Sequence, residues 1–135
     1  MSAFQIKRPL TAFSLDPSDK DQKRITDEPH LDFIRKLPSL ISGREPCEAC
    51  HLRAGNPLYR KKRTGGAQRP DDAWALPMTA VEHKAQHGMN EIAFWESHGV
   101  TDPFAIALAL YQVSGDLKAG RRIIRDSIRK RRAGI

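Results

Sequence analysis

Cysteine is nearly absent from this 135-residue chain, which has two, and aromatic residues make up only 7% of it. Two cysteines are too few to staple a small secreted scaffold. Cys47 and Cys50 stand three positions apart, which in a reducing compartment suits metal ligation or redox chemistry better than a structural disulfide. No run approaches the ~18 consecutive apolar residues of a membrane span. The opening MSAFQIKRPLTAF lacks an apolar signal core with a small-residue cleavage site, so a cytoplasmic location is expected. Acidic residues are also in deficit: 16 Asp and Glu face 23 Lys and Arg, a formal charge of +7 with a pI near 9.8. That balance favours an anionic polymer over an acidic small molecule as partner. One domain with one modest core is expected at this length, and there is no internal repeat or low-complexity tract.

Three stretches are distinguished along the chain. Residues 1–28 are polar, carry Pro9 and Pro17, and show no sustained period of 3.6 or 2, as expected of a flexible N-terminal arm. Residues 29–113 hold the periodic segments. HLDFIRKLP places Leu31, Ile34 and Leu37 on one helical face, and Pro38 closes it. After a turn at Ser42-Gly43, REPCEACHLR reads as a short extended piece. Residues 54–72 are rich in Gly, Pro and positive charge, which predicts an exposed loop. Trp74, Leu76 and Met78 alternate as in a brief strand, and Thr79 with Glu82 forms a capping box opening a helix near Ala80. Short helices are predicted from Asn90 to His98 and after Pro103, the second capped by Thr101 or Asp102 and ended by Gly115. Residues 114–135 then form a basic amphipathic helix, with Ile123, Ile124 and Ile128 opposite seven cations.

The strongest chemical signal is VEHKAQHG. His83 and His87 are four residues apart, so a helix turns both imidazoles to one side. Cys50, His83 and His87 can supply three ligands to one divalent ion and leave an open coordination position, as a catalytic site requires. His51 follows Cys50 on an extended chain and points to the opposite face, where its imidazole can take a proton from an attacking water. Adding Cys47 to Cys50, His83 and His87 instead closes the sphere in zinc-finger style and makes the ion structural. Spacing leaves both arrangements open. A redox role for Cys47 and Cys50 is a third class and needs no histidines.

Blander readings stand beside these. His30 and His98 border predicted helix ends and read as capping or surface residues. Trp74, Met78 and Trp95 read as core. Asp71 and Asp72 follow Pro70, where carboxylates bond backbone amides, although Asp72 can equally orient a histidine of the site. Arg53, Arg60, Lys61, Lys62, Arg63 and Arg69, together with the basic last helix, suit either a solvated face or contacts to a phosphate backbone.

In LPSLISG, ACHLR, QRPDD, ALPMTAVEHKAQHG, NEIAFW and GVTDP, taken in that order over about residues 29–113, the chain resembles the HNH (ββα-metal) endonucleases, specifically a phage- and prophage-associated branch. The resemblance implies an α+β fold: a small ββα-metal (HNH) core with flanking α-helices and a basic C-terminal helix. It implies metal-dependent hydrolysis of DNA phosphodiesters, by nicking or double-strand cleavage, in the cytoplasm of a host cell. His51 matches the general base and Asp72 the loop aspartate of the catalytic set. Cys50 stands where the first metal-binding histidine usually sits, and His83 and His87 match the helix ligands. The expected cofactor is one divalent ion (zinc, magnesium, manganese or nickel) and the expected partner double-stranded DNA. Four departures are plain. Ser39 and Ser42 replace an upstream cysteine pair, so no separate structural zinc knuckle is expected. Met78-Thr79 replaces Leu-Cys, a thiolate at Cys50 shifts preference towards zinc, and Trp74 lies near the place of the middle asparagine.

Overall fold

Helix starts are where individual side chains shape this protein most directly. The computed structural model describes residues 24–64 and 70–134, and the helices within that range are α1 (Glu28–Arg35), α2 (Ala80–His87), α3 (Glu91–Ser97), α4 (Pro103–Gln112) and α5 (Leu117–Arg132). Each begins at a residue whose side chain accepts a first-turn amide: Asp27 from His30, Thr79 from Glu82, Asn90 from Ala93, Asp102 from Ala105 and Asp116 from Ala119. Such caps satisfy donors that a helix cannot satisfy itself. At α2 the capping box is complete, because Glu82 also accepts the Thr79 amide at 2.9 Å.

Strands β1 (Glu48–His51) and β2 (Ala75–Met78) pair antiparallel, with Cys50 opposite Leu76 and His51 opposite Ala75. With five helices and this two-stranded sheet among the described residues, the protein is α+β. The alternation predicted for Trp74, Leu76 and Met78 is replaced by something else. Trp74 closes a 3-10 turn (Asp72–Trp74), and all four residues of β2 are buried. Both faces of β2 are covered, so an alternating pattern has no solvent side to follow there. Pro77 lacks an N–H and is tolerated because β2 is an edge strand; its carbonyl accepts the Leu40 amide at 3.0 Å.

One core unites these elements, drawing Leu31 and Ile34 from α1, Leu37 from the turn after it, Leu76 from β2, Trp95 from α3, Leu110 from α4 and Ile124 from α5. The basic last helix is thus docked in the same core as the rest. Gly120 makes this possible, since a Cβ there would lie 2.8 Å from Phe33 Cζ and 2.9 Å from Leu37 Cδ2. On the same helix Arg131 is structural, its guanidinium donating to the Leu40 carbonyl and, at 3.1 Å, to that of His98. No helix among the described residues is long and apolar enough to cross a membrane.

Two residues sit elsewhere than their sequence context suggests. His30 is inside α1 and fully buried, with Nδ1 2.8 Å from Ser114 Oγ and its ring edge-on to Tyr111. Lys61, expected on a surface facing either solvent or a phosphate backbone, is 8% exposed. The segment around it is folded: Asn56 caps a 3-10 turn (Pro57–Tyr59) and bridges to Lys61, Tyr59 stacks on Phe104, and the Tyr59 hydroxyl donates to Asp102 at 2.6 Å. Lys61 is carried inward with its ammonium 5.9 Å from the centre of the Trp74 ring, donating to the Lys62 carbonyl at 3.3 Å.

Burial lowers the Lys61 ammonium to about 8, with Glu91 and Asp71 opposing that effect. Below that value the folded protein carries a charge in a poorly hydrated place. Between it and the ordinary lysine value near 10.4, the unfolded chain holds more protons, so stability rises with pH across that window. Lys61→Met is expected to stabilise the fold by about 1–2 kcal/mol at pH 7 and to flatten that alkaline rise. Denaturant unfolding at pH 7 and pH 10 reads both effects, and an unchanged pH dependence would contradict the assignment.

Candidate active site

His51 ends β1, half-buried, and its Nε2 lies 3.0 Å from Asp72 Oδ1. Asp72 opens the 3-10 turn leading into β2, so strand pairing and that turn together bring a residue 21 positions away in sequence against the imidazole. The carboxylate has other partners as well. Its Oδ2 accepts the Asp27 amide at 2.8 Å, and Oδ1 also accepts from the Arg24 guanidinium, which reaches the Pro70 carbonyl at 2.8 Å. Burial pushes the Asp72 carboxyl up, but the Asp27 amide, His51 and Arg24 outweigh it, and the group is held below its ordinary value. An ionised Asp72 accepts Nε2–H, which leaves the ring lone pair on Nδ1. Asp72 therefore positions His51 rather than facing a substrate; it is 2% exposed.

The helix pair forms as its spacing predicts. His83 and His87 stand with ring centroids 4.5 Å apart, edge to face. The group that meets them is Glu48, whose Oε1 lies 2.8 Å from His83 Nδ1. A carboxylate on one nitrogen is how a ligating histidine is commonly oriented, and it leaves Nε2 for an ion. Sequence reasoning missed Glu48, although its place two residues before Cys50, on the same side of β1, was a usable signal.

Cys50 lies apart from the histidine pair. It is 3% exposed, within the core, with its thiol 3.7 Å from the Glu48 carbonyl oxygen. Cys47 is buried too, its thiol 3.4 Å from the Arg44 carbonyl. Among the described residues no three His, Cys, Asp or Glu side chains are gathered as a ligand set. The grouping of Cys50 with His83 and His87, and its closed variant with Cys47, are therefore not assembled in this conformation. Burial, with Glu82 and Glu45 adding to it, pushes the Cys47 thiol up to about 12; burial, Glu48 and Cys47 push Cys50 up further. Both are free thiols. Protonated, enclosed thiols are poor nucleophiles, which removes support from the redox reading.

Ser39 and Ser42 acquire a role that their hydroxyls explain. Ser39 Oγ donates to Glu82 Oε1 at 2.5 Å, and the Ile41 and Ser42 amides donate back to Ser39 Oγ at 3.0 and 3.2 Å. The turn after α1 is thereby bonded to the start of α2. Burial pushes the Glu82 carboxyl up, but bonds from Ser39, Ser42 and Thr79 bring it below its ordinary value.

Of the cations expected to contact phosphate, Arg53, Arg60, Lys62 and Arg63 are exposed, Lys61 is not, and Arg69 falls outside the described residues. An open cleft of about 450 Å³ is lined by Arg53, Ala54, Arg63, Thr64, Asn90, Glu91 and Ile92. Glu91 holds its inner wall, accepting the Arg53 amide at 3.1 Å and the Ala54 amide at 2.7 Å, so the chain just past His51 is fixed by α3. His98 caps the end of α3 and rests on Phe94 with ring centroids 4.8 Å apart. Comparison of the chain with protein-family models, with curated proteins and with solved structures finds no match to any of them.

Proposed function

We propose that the protein is a metal-dependent DNA endonuclease of the HNH, ββα-metal kind, similar to those of phages and prophages. The observation carrying the proposal is the 3.0 Å pairing of His51 with a buried, ionised Asp72, set on a strand–strand–helix unit whose helix presents two adjacent imidazoles. His51 takes the proton of the attacking water on Nδ1, and Asp72 fixes the tautomer and stabilises the imidazolium that results. Arg53 and Arg63, on the walls of one cleft, hold the phosphate backbone, and Arg60 and Lys62 extend the same surface. His83 and His87, with Glu48 orienting His83, fit a divalent cation and would hold it, with Cys50 as the third ligand of this reading. A bound divalent ion supplies positive charge to the scissile phosphate and the leaving oxygen.

The second reading is a zinc-stabilised DNA-binding protein closed by Cys47, Cys50, His83 and His87. One observation favours it: the two thiols lie near enough for Cys47 to raise Cys50. Supercoiled plasmid incubated with the protein and Mg2+, Mn2+, Ni2+ or Zn2+ separates them. Nicked or linear product that chelation abolishes, while the melting temperature changes little, supports the nuclease. Absence of product with every ion, together with one tightly held zinc whose removal unfolds the protein, supports the closed site.

A further inference from the structure

We infer that the outer face of α5 is a docking surface for the phosphate backbone of duplex DNA, separate from the site of hydrolysis. Lys118, Arg122, Arg125, Arg129 and Arg132 are all exposed and follow one another at intervals of four, three, four and three residues. That interval keeps them on one face, as a cationic row about 21 Å long at ~1.5 Å per residue. Along B-DNA that length covers about six base pairs at ~3.4 Å of rise each.

Folding does not account for the row. Like charges three and four residues apart destabilise a helix, and among the described residues only Arg129 in the row has an ion pair, with Asp126 at 2.9 Å. Complementing the helix dipole explains cations in the last turn, but Lys118 and Arg122 lie near the opposite end, where the first turn holds no acidic residue. Arg131, between two members of the row in sequence, turns inward to backbone carbonyls and does the structural work. The helix therefore separates one half-buried arginine that anchors it from the five exposed cations of the row, beside which Lys130 is exposed too.

The apolar face of α5 argues for nucleic acid over a lipid surface. Ile124 is fully buried, and Ile123 and Ile128 pack against the core, so insertion into a bilayer interface would require the helix to undock. What remains outside is charge alone, which matches a phosphate polymer.

The proposal rests on the nucleic-acid part of the function above and not on hydrolysis. Binding of a fluorescein-labelled 24-base-pair duplex, without added metal, is measured by anisotropy across a salt series for the full chain. Two double variants remove equal charge: Arg122→Gln with Arg125→Gln on the row, and Lys36→Gln with Arg44→Gln, exposed cations elsewhere. With melting temperatures matched to wild type, the row variant is expected to lower the slope of log affinity against log salt by about 1.8, or ~0.9 per lost phosphate contact. The control pair is expected to leave it nearly unchanged. Equal slopes for the two variants would mean that net charge alone acts, and would overturn the proposal. So would wild-type protein that does not bind the duplex, or a row variant that loses binding only to vesicles of phosphatidylserine and phosphatidylcholine. Duplex binding with the expected slopes but no plasmid cleavage leaves this surface standing and removes the nuclease; cleavage with unchanged slopes does the reverse.

Discussion

Asp72→Ala is expected to lower the stability of the fold by about 3–5 kcal/mol, the range for removing one partner of a buried charged pair. Three donors lose their acceptor together: the Arg24 guanidinium, the Asp27 amide and His51 Nε2. The cost comes from enclosing those donors without this acceptor more than from the lost attraction itself. Arg24 and Asp27 belong to the segment leading into α1, so its anchorage to the turn before β2 is expected to loosen first. Thermal or denaturant unfolding reads the loss, and a change below about 1 kcal/mol would show that Asp72 is not the clamp described. Asp72→Asn keeps the shape and is the gentler probe. Because the carboxyl is held below its ordinary value, its contribution is complete above the unfolded value near 3.9 and disappears as pH falls through the folded one. The asparagine variant is expected to lack that acid limb. It also removes the charge that fixes the His51 tautomer, and cleavage is expected to slow by about 10–100-fold, as when a histidine loses its orienting group.

His51→Ala is expected to reduce the rate of plasmid nicking by about 10²–10⁴, the usual share of a positioned general base. The fold should survive, because Asp72 keeps Arg24 and the Asp27 amide as donors and the imidazole is only half-buried. His83, His87 and Glu48 are untouched, so metal content is expected to stay at the wild-type level. Single-turnover nicking at saturating metal, with metal content measured on the same preparation, isolates the chemical step. Wild-type cleavage by the alanine variant would remove His51 as the base. A variant that loses metal and activity together would make His51 a ligand instead.

Local chemistry carried much of the architecture. Thr79 with Glu82 specified the start of α2, Asp102 and Pro103 that of α4, and the four-residue interval of His83 and His87 placed their rings together, because each depends on contacts within one or two helical turns. The His51–Asp72 pair was legible only as two candidates. Their contact needs two strands in register and a 3-10 turn, and a single sequence specifies neither.

The remaining corrections share a cause. Lys61, His30 and Glu48 are polar residues whose surroundings come from distant parts of the chain: Trp74 beside Lys61, Ser114 and Tyr111 around His30, and His83 on Glu48. Cys50 faces the core rather than the histidine pair for the same kind of reason, since its environment is set by how β1, β2 and α1 pack. Residue type and interval settle which face a side chain takes and where a helix begins, because those forces act within a few residues. Which polar group is buried, and against which partner, follows from the packing of elements tens of residues apart.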